Sequence, residues 1–350
     1  MKKFYAFTLS LIVASTQIKA QTTEVVTGLN APWGLLNVGN DLYISEVTGD
    51  KITKIDITAA TPTKTTIISG LNNPRGLVLN GNVLYIAQIE DDKIVKIDLS
   101  ATVPTAVDVI TGINGPGGLV LQGNDLYFSL FYSNKISKID ITVPSPVLVD
   151  VVTGLSAPAG IFLNGNDLYI SEYNANKISK IDITASTPVL QTVVTGLNRP
   201  SASLLSGNTL YIAERLGNKI SKIDITASTP TLTNVVTGLR GPEGLALNGN
   251  NLYIAERDGN KVSKFTIPSL GIEALTSGKN NLTIYPNPSH DYLTISKLKQ
   301  TENYKIINSI GQEVKNGVVN GREKIDIKNL SNGVYFLTFE DGSLFKFIKK

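Results

Sequence analysis

A glycine recurs at Gly28, Gly70, Gly112, Gly154, Gly196 and Gly238, always 42 residues after the last, with no insertion or deletion between copies. The tyrosine of a Leu-Tyr pair keeps the same step through Tyr43, Tyr85, Tyr127, Tyr169, Tyr211 and Tyr253. A strict period of this size makes each copy one supersecondary unit that buries its apolar faces only against its neighbours. Few architectures satisfy that constraint.

Within one copy the pattern is strand-like throughout. In the last copy, Gly244 to Gly249 reads as a short apolar strand, Asn250 and Asn251 as a turn, Leu252 to Ala255 as a second strand and Lys261 to Ile267 as a third. A fourth strand is seen in other copies, as at Thr233 to Thr237. Four short antiparallel strands rich in Ile, Val and Tyr, with Gly, Asn and Pro at the joints, make one blade. Six blades predict an all-β, six-bladed β-propeller over residues 21–267. The sixth copy abandons the pattern after Ile267 and lacks its outer strand, whereas Thr22 to Thr27 matches Thr233 to Thr237. The N-terminal strand is therefore expected to complete the last blade and close the ring, leaving no long free edge.

The chain is 42% hydrophobic and 17% charged, which argues against disorder. Its net charge of +3 is weak, and its lysines recur as Lys-Ile-Asp (Lys54-Ile55-Asp56, Lys222-Ile223-Asp224), so a basic face for nucleic acid is not indicated. The absence of cysteine excludes disulfides, thiolate zinc sites and a lipidated cysteine. Residues 1–20 read as a signal peptide: Lys2 and Lys3, an apolar run from Phe4 to Ala14, and Ala20 before Gln21. No later stretch approaches the roughly 20 apolar residues of a transmembrane helix.

Residues constant among the copies are expected to serve the fold. Pro32, Pro74, Pro116, Pro158, Pro200 and Pro242 fix the turn into each first strand. The glycine two residues later, Gly34 through Gly244, is replaced only by Ala202, which implies close backbone approach where the inner strands converge. Between them the residues differ completely: Trp33, Arg75, Gly117, Ala159, Ser201 and Glu243. The joint after the second strand varies as well, from Gln88-Ile89-Glu90 to Leu130-Phe131-Tyr132 and Glu256-Arg257-Asp258. Propeller geometry puts both joints on one rim. Its aromatics and arginines are of the type used in recognition, which nominates Trp33, Arg75, Phe131, Tyr132, Tyr173, Arg215, Glu243 and Arg257 as ligand-binding side chains. They are expected to be exposed and unneeded by the fold. Loop drift after duplication is the alternative origin of the same variation.

Glu46, Glu172, Glu214 and Glu256 head the second joint and could form a carboxylate ring for a cation, but recurrence at one repeat position favours a structural hydrogen bond to neighbouring backbone. Residues 22–267 hold no His, no Cys and no serine-nucleophile motif, so no catalytic residue, metal ligand or cofactor is assigned.

The run from Gly241 to Phe265 resembles the NHL repeat in its proline, glycine, apolar strand and Tyr-Ile-Ala-acid order, with Glu256 where that family has Asp and Lys261 where it often has a basic pair. The region is also similar to gluconolactonase-like six-bladed propellers. That resemblance implies an alternative: a hydrolase working at the channel mouth with a divalent cation such as Ca2+, held by Glu, Asn and Asp side chains. The inner strands, as in Leu77-Val78-Leu79 and Leu119-Val120-Leu121, offer no matching ligand. A WD-repeat is disfavoured, since Trp33 is the only tryptophan.

Residues 268–280 read as a linker, and residues 281–350 as short alternating strands sufficient for a small β-sandwich. The tail resembles the type A C-terminal sorting domain of the type IX secretion system of Bacteroidota, through Tyr285-Pro286-Asn287-Pro288, the Ile310-Gly311-Gln312 turn, Leu330, and Gly333-Val334-Tyr335 before a basic end. The resemblance implies the type IX machinery as a partner, passage through the periplasm, and release or attachment at the outer-membrane surface. The other partner expected is an extracellular glycan, peptide or protein bound at the rim. His290 reads as an exposed turn residue.

Overall fold

The computed structural model describes residues 22–268, 282–296, 298, 300–308, 313–321, 323–339 and 343–350. The expected signal peptide, most of the linker and Gly311 lie outside the described residues. The chain divides after Ile267 into two compact units.

In the first unit the repeat forms six four-stranded antiparallel sheets among the described residues. Blade one shows the pattern: an inner strand Pro32–Val38, a second strand Asp41–Glu46, a third Lys51–Asp56 and an outer Thr65–Ser69. Each inner strand packs against the inner strand of the next blade, and the sixth, Pro242–Asn248, packs against the first, so the sheets close into a propeller. The sixth sheet takes its outer strand from Thr23–Thr27, which pairs antiparallel with Lys261–Thr266, Val26 lying opposite Val262. Lys261 Nζ reaches Glu24 Oε1 at 2.7 Å across this seam.

Period-two alternation buries one side chain set against each neighbouring blade. The seam cluster shows it: Val26 and Leu29 pack with Leu42, Ile44, Tyr253 and Val262, all under 9% exposed. Blade-to-blade register is held by a repeated latch. A residue with positive φ before each third strand, such as Asp92 or Asn176, accepts two backbone N–H groups of the next blade's joint, one on its carbonyl and one on its side-chain oxygen. Short polar side chains tolerate this left-handed backbone best. At the ring seam the latch is Asn260, whose carbonyl and Oδ1 accept Leu29 N and Ala31 N, each at 3.0 Å.

The inner strands meet as closely as the repeated glycine implies. A Cβ on Gly244 would stand 2.1 Å from the carbonyl oxygen of Trp33 in the next blade, and one on Gly34 2.3 Å from that of Arg75. At the one exception the ladder differs as well: Ala202 pairs directly with Ala213, a position that the sixth blade skips.

The recurring glutamates tie strand ends together. Oε2 of Glu46, Glu172, Glu214 and Glu256 accepts the backbone N–H of Asn30, Ser156, Asn198 and Arg240 at 2.7, 3.1, 2.8 and 2.8 Å, while Oε1 accepts a hydroxyl from the third strand. Gln88 fills the role in blade two. In blade three Leu130 cannot, and the hydroxyl of Ser137 turns to Asp150 instead, at 2.8 Å. The lysines are offset as composition suggests, but by a different acid: Lys54 pairs with Asp41 across the ladder, while Asp56 accepts from Thr58 in its own turn.

The second unit stacks two sheets. One carries Thr283–Tyr285, Tyr292–Ser296 and Lys324–Asp326; the other runs Glu313–Val319, Glu302–Asn308, Gly333–Phe339, Leu344–Lys349 in spatial order. Leu293, Ile295, Ile306, Leu337 and Phe347 form its core, all at most 1% exposed. Among the described residues no helix is long and apolar enough to cross a membrane.

Candidate binding site at the channel mouth

Backbone hydrogen bonds clamp the two variable joints of each blade together, as between Phe131 N and Gly115 O at 2.8 Å, or Arg257 N and Gly241 O at 3.0 Å. All eight side chains nominated from the sequence consequently line one cavity, of about 180 Å³, with Ile89, Gly117 and Ala159. Every blade contributes to it.

The rim is less exposed than the sequence suggests. Trp33 is 7% and Glu243 2% exposed, because the first residues of the inner strands point into the channel where neighbouring blades converge. The hydroxyl of Ser201 donates to the carbonyl of Pro242 or Glu243, at 3.2 and 3.1 Å, and so holds the backbone of this stretch. Tyr132 is half exposed, at 52%.

Charge is concentrated around one acid. Arg215 Nε donates to Glu243 Oε1 at 2.6 Å, and its Nη2 reaches Asp258 Oδ1 at 3.3 Å. Arg257 Nη1 stands 3.5 Å from the same Glu243 oxygen. Arg75 lies over the Trp33 ring, 5.5 Å from its centroid, in a cation–π arrangement. Burial pushes the Glu243 carboxyl above the usual carboxylate range, against the pull of Arg75, Arg215 and Arg257. Burial also lowers the Arg75 guanidinium to about 10, so it stays charged at neutral pH.

The aromatic wall is built from Phe131, which meets Tyr132 edge-to-face at 5.4 Å and Tyr173 at 5.9 Å. Arg199 covers Tyr173 at 5.2 Å and donates to Asn174. Ile89, Gly117 and Ala159 occupy the same variable joints but carry neither an aromatic ring nor a charge, so recognition chemistry does not single them out in the sequence; the small size of Gly117 and Ala159 is the signal it offers.

The divalent cation of the gluconolactonase-like alternative does not fit these residues. Glu243, the carboxylate of the cavity wall, is hydrogen-bonded to Arg215 and crowded by two further guanidinium groups. Among the described residues no three His, Cys, Asp or Glu side chains converge as metal ligands would.

In the second unit the sorting residues gather on the last strand. Asn287 of the exposed Tyr285-Pro286-Asn287-Pro288 segment donates its Nδ2 to the carbonyl of Lys346 and accepts Ile348 N on Oδ1, both at 3.0 Å. Tyr335 stacks on Phe347 at 5.6 Å and donates its hydroxyl to Ser331 O at 2.9 Å, while Leu330 packs on the core and Gly333 begins the strand that carries Tyr335. His290 is exposed, with Nδ1 3.0 Å from Lys350 O.

Residues 283–350 match the family model described as a secretion system C-terminal sorting domain. The chain thus carries a type IX sorting domain and is exported to the cell surface or the extracellular space, with the secretion machinery as a partner. The propeller resembles solved structures at low identity. Virginiamycin B lyase from Staphylococcus aureus is 17% identical with a TM-score of 0.54, over 71% of this chain and 99% of that one. XC5397 from Xanthomonas campestris, a gluconolactonase, is 12% identical with a TM-score of 0.58, over 71% and 90%. The PQQ-bound aldose sugar dehydrogenase of Streptomyces coelicolor is 17% identical with a TM-score of 0.54, over 71% and 98%. At these identities the likeness is one of fold. A search of curated proteins by sequence found no significant match.

Proposed function

We propose that this protein is an extracellular binding module: a propeller, delivered by its sorting domain, that takes a ligand into the mouth of its channel. The observation that carries this reading is the convergence of eight copy-variable residues, drawn from all six blades, on one cavity. Loop drift alone has no reason to place four aromatics and three arginines around a single opening. Stacking surface combined with fork-shaped donors suits a ligand that offers both a ring and oxygen acceptors. The acid of the mouth, Glu243, is hydrogen-bonded to Arg215, which favours a binding role over proton transfer there.

Screening the full-length protein against glycan and peptide arrays tests the reading. Ligands it retains should lose more than about 1 kcal/mol of affinity on Trp33→Ala or Arg257→Ala substitution, the scale of an interface anchor. Undiminished binding by both variants, each shown to be folded, would place recognition elsewhere.

A further inference from the structure

Resting on the reading of the mouth as a binding site, we propose that its ligand presents a carboxylate carried on a single six-membered ring, and that Arg75 is the residue that pairs with it. Arg75, Arg215 and Arg257 face one buried acid, Glu243, so the cavity wall carries two positive charges in excess. Asp258 at the rim, its side chain 54% exposed, offsets one of them through Arg215, and Glu90 acts on Arg75 without forming an ion pair with it. Arg215 is committed to these two acids and Arg257 reaches Glu243. The side chain of Arg75 has no hydrogen bond or ion pair among the described residues, and its Nε is buried without a partner. A buried donor left unmade is costly, and a planar guanidinium with free donors fits a carboxylate through two parallel hydrogen bonds.

The rest of the cavity describes what carries the charge. Its volume of about 180 Å³ is close to the roughly 150 Å³ of an apolar cavity that takes up one benzene, which suits one ring with its substituents. Gly117 and Ala159 keep it open, and Phe131, Tyr132 and Tyr173 offer aromatic surface beside it. Sugar acids and aromatic acids share this chemistry.

Titration calorimetry on the full-length protein separates these cases, with D-galacturonate against D-galactose and benzoate against benzyl alcohol. One acid should bind at least about tenfold more tightly than its neutral counterpart, the scale of a charge-assisted pair, and weaken as salt rises. Galacturonate identifies the sugar acid as the source and benzoate the aromatic one. Arg75→Met should remove the preference for the acid over its neutral counterpart, and Arg75→Lys should restore part of it. The proposal is overturned if acids bind no better than their neutral counterparts, if neither acid binds, or if Arg75→Met binds acid like wild type. It is equally overturned if a peptide with a free C-terminal carboxylate binds through Arg75 while both ring acids fail. Neutral rings lost on Trp33→Ala or Tyr132→Ala would leave the mouth as a binding site without the anion. Array ligands indifferent to every mouth substitution would remove both readings.

Discussion

Glu172 and Glu243 are buried to the same depth, 1% and 2% exposed, yet they are used in opposite ways. Glu172 is satisfied inside its own repeat: Ser156 N, the Ser179 hydroxyl and Lys177 Nζ meet it at 3.1, 2.5 and 3.2 Å, and equivalent donors meet Glu214 and Glu256. Glu243 is met by arginine from its own blade and the one before, Arg257 and Arg215, which share one repeat position that holds arginine only in these two copies. A carboxylate that recurs closes the backbone accounts of a blade. One that occurs once organises charge at an opening.

The largest effect expected is at the ring seam. Deleting residues 22–28 removes the outer strand of the sixth blade with its Glu24–Lys261 ion pair, and should lower Tm by about 10 °C or more, or cause aggregation. Unchanged, monodisperse melting would mean that the repeat-borne contacts do not hold the ring. Next, Glu172→Ala strips the acceptor from a backbone N–H, a hydroxyl and a lysine together. Chemical denaturation should show a loss of about 3 kcal/mol, the scale for leaving buried partners unpaired. Glu243→Gln keeps an oxygen for Arg215 and should cost about 1 kcal/mol, while raising the excess positive charge of the mouth and tightening acid binding. Equal losses for Glu172→Ala and Glu243→Gln would erase the distinction between the two acids.

The smallest effect is a pair of opposite pH slopes. Burial raises the Glu243 carboxyl in the folded protein, so its contribution to stability is full below the ordinary value of 4.5 and is lost as pH rises through the folded value. Wild type should therefore gain on Glu243→Gln as pH falls to about that point. Asp56 is lowered by the hydroxyl and backbone N–H of Thr58, so its contribution is present above the ordinary 3.8 and lost on acidification through the folded value. Asp56→Asn should lose its disadvantage at low pH. Parallel slopes in denaturation curves of the two variants would contradict these environments.

The same contrast explains what the sequence discloses. The period, the prolines and the glycines expose the propeller, because a steric need repeated in every blade leaves a repeated residue: Gly244 beside Trp33 O is one such need. The unpaired copy was legible too, since Thr23–Thr27 restores the missing strand. Variable positions named the eight mouth residues but not their depth. Trp33 is packed under Arg75, and Arg215 crosses from blade five to Glu243 in blade six; neither contact has a fixed spacing within a repeat. Leu130 shows the limit from the other side, because its loss of the carboxylate role is answered by Asp150 on a different strand.

Arg75→Met, measured for stability and for binding in one preparation beside Glu172→Ala, tests the division between repeat and mouth most directly. Arg75 has no hydrogen bond or ion pair to lose, and methionine keeps an apolar chain over the Trp33 ring, so its replacement should change stability by no more than about 1 kcal/mol while abolishing the preference for a ring-borne acid. Glu172→Ala should do the reverse, losing about 3 kcal/mol of stability with ligand affinity intact in the folded fraction. An Arg75→Met protein that melts early yet still prefers the acid would contradict the account.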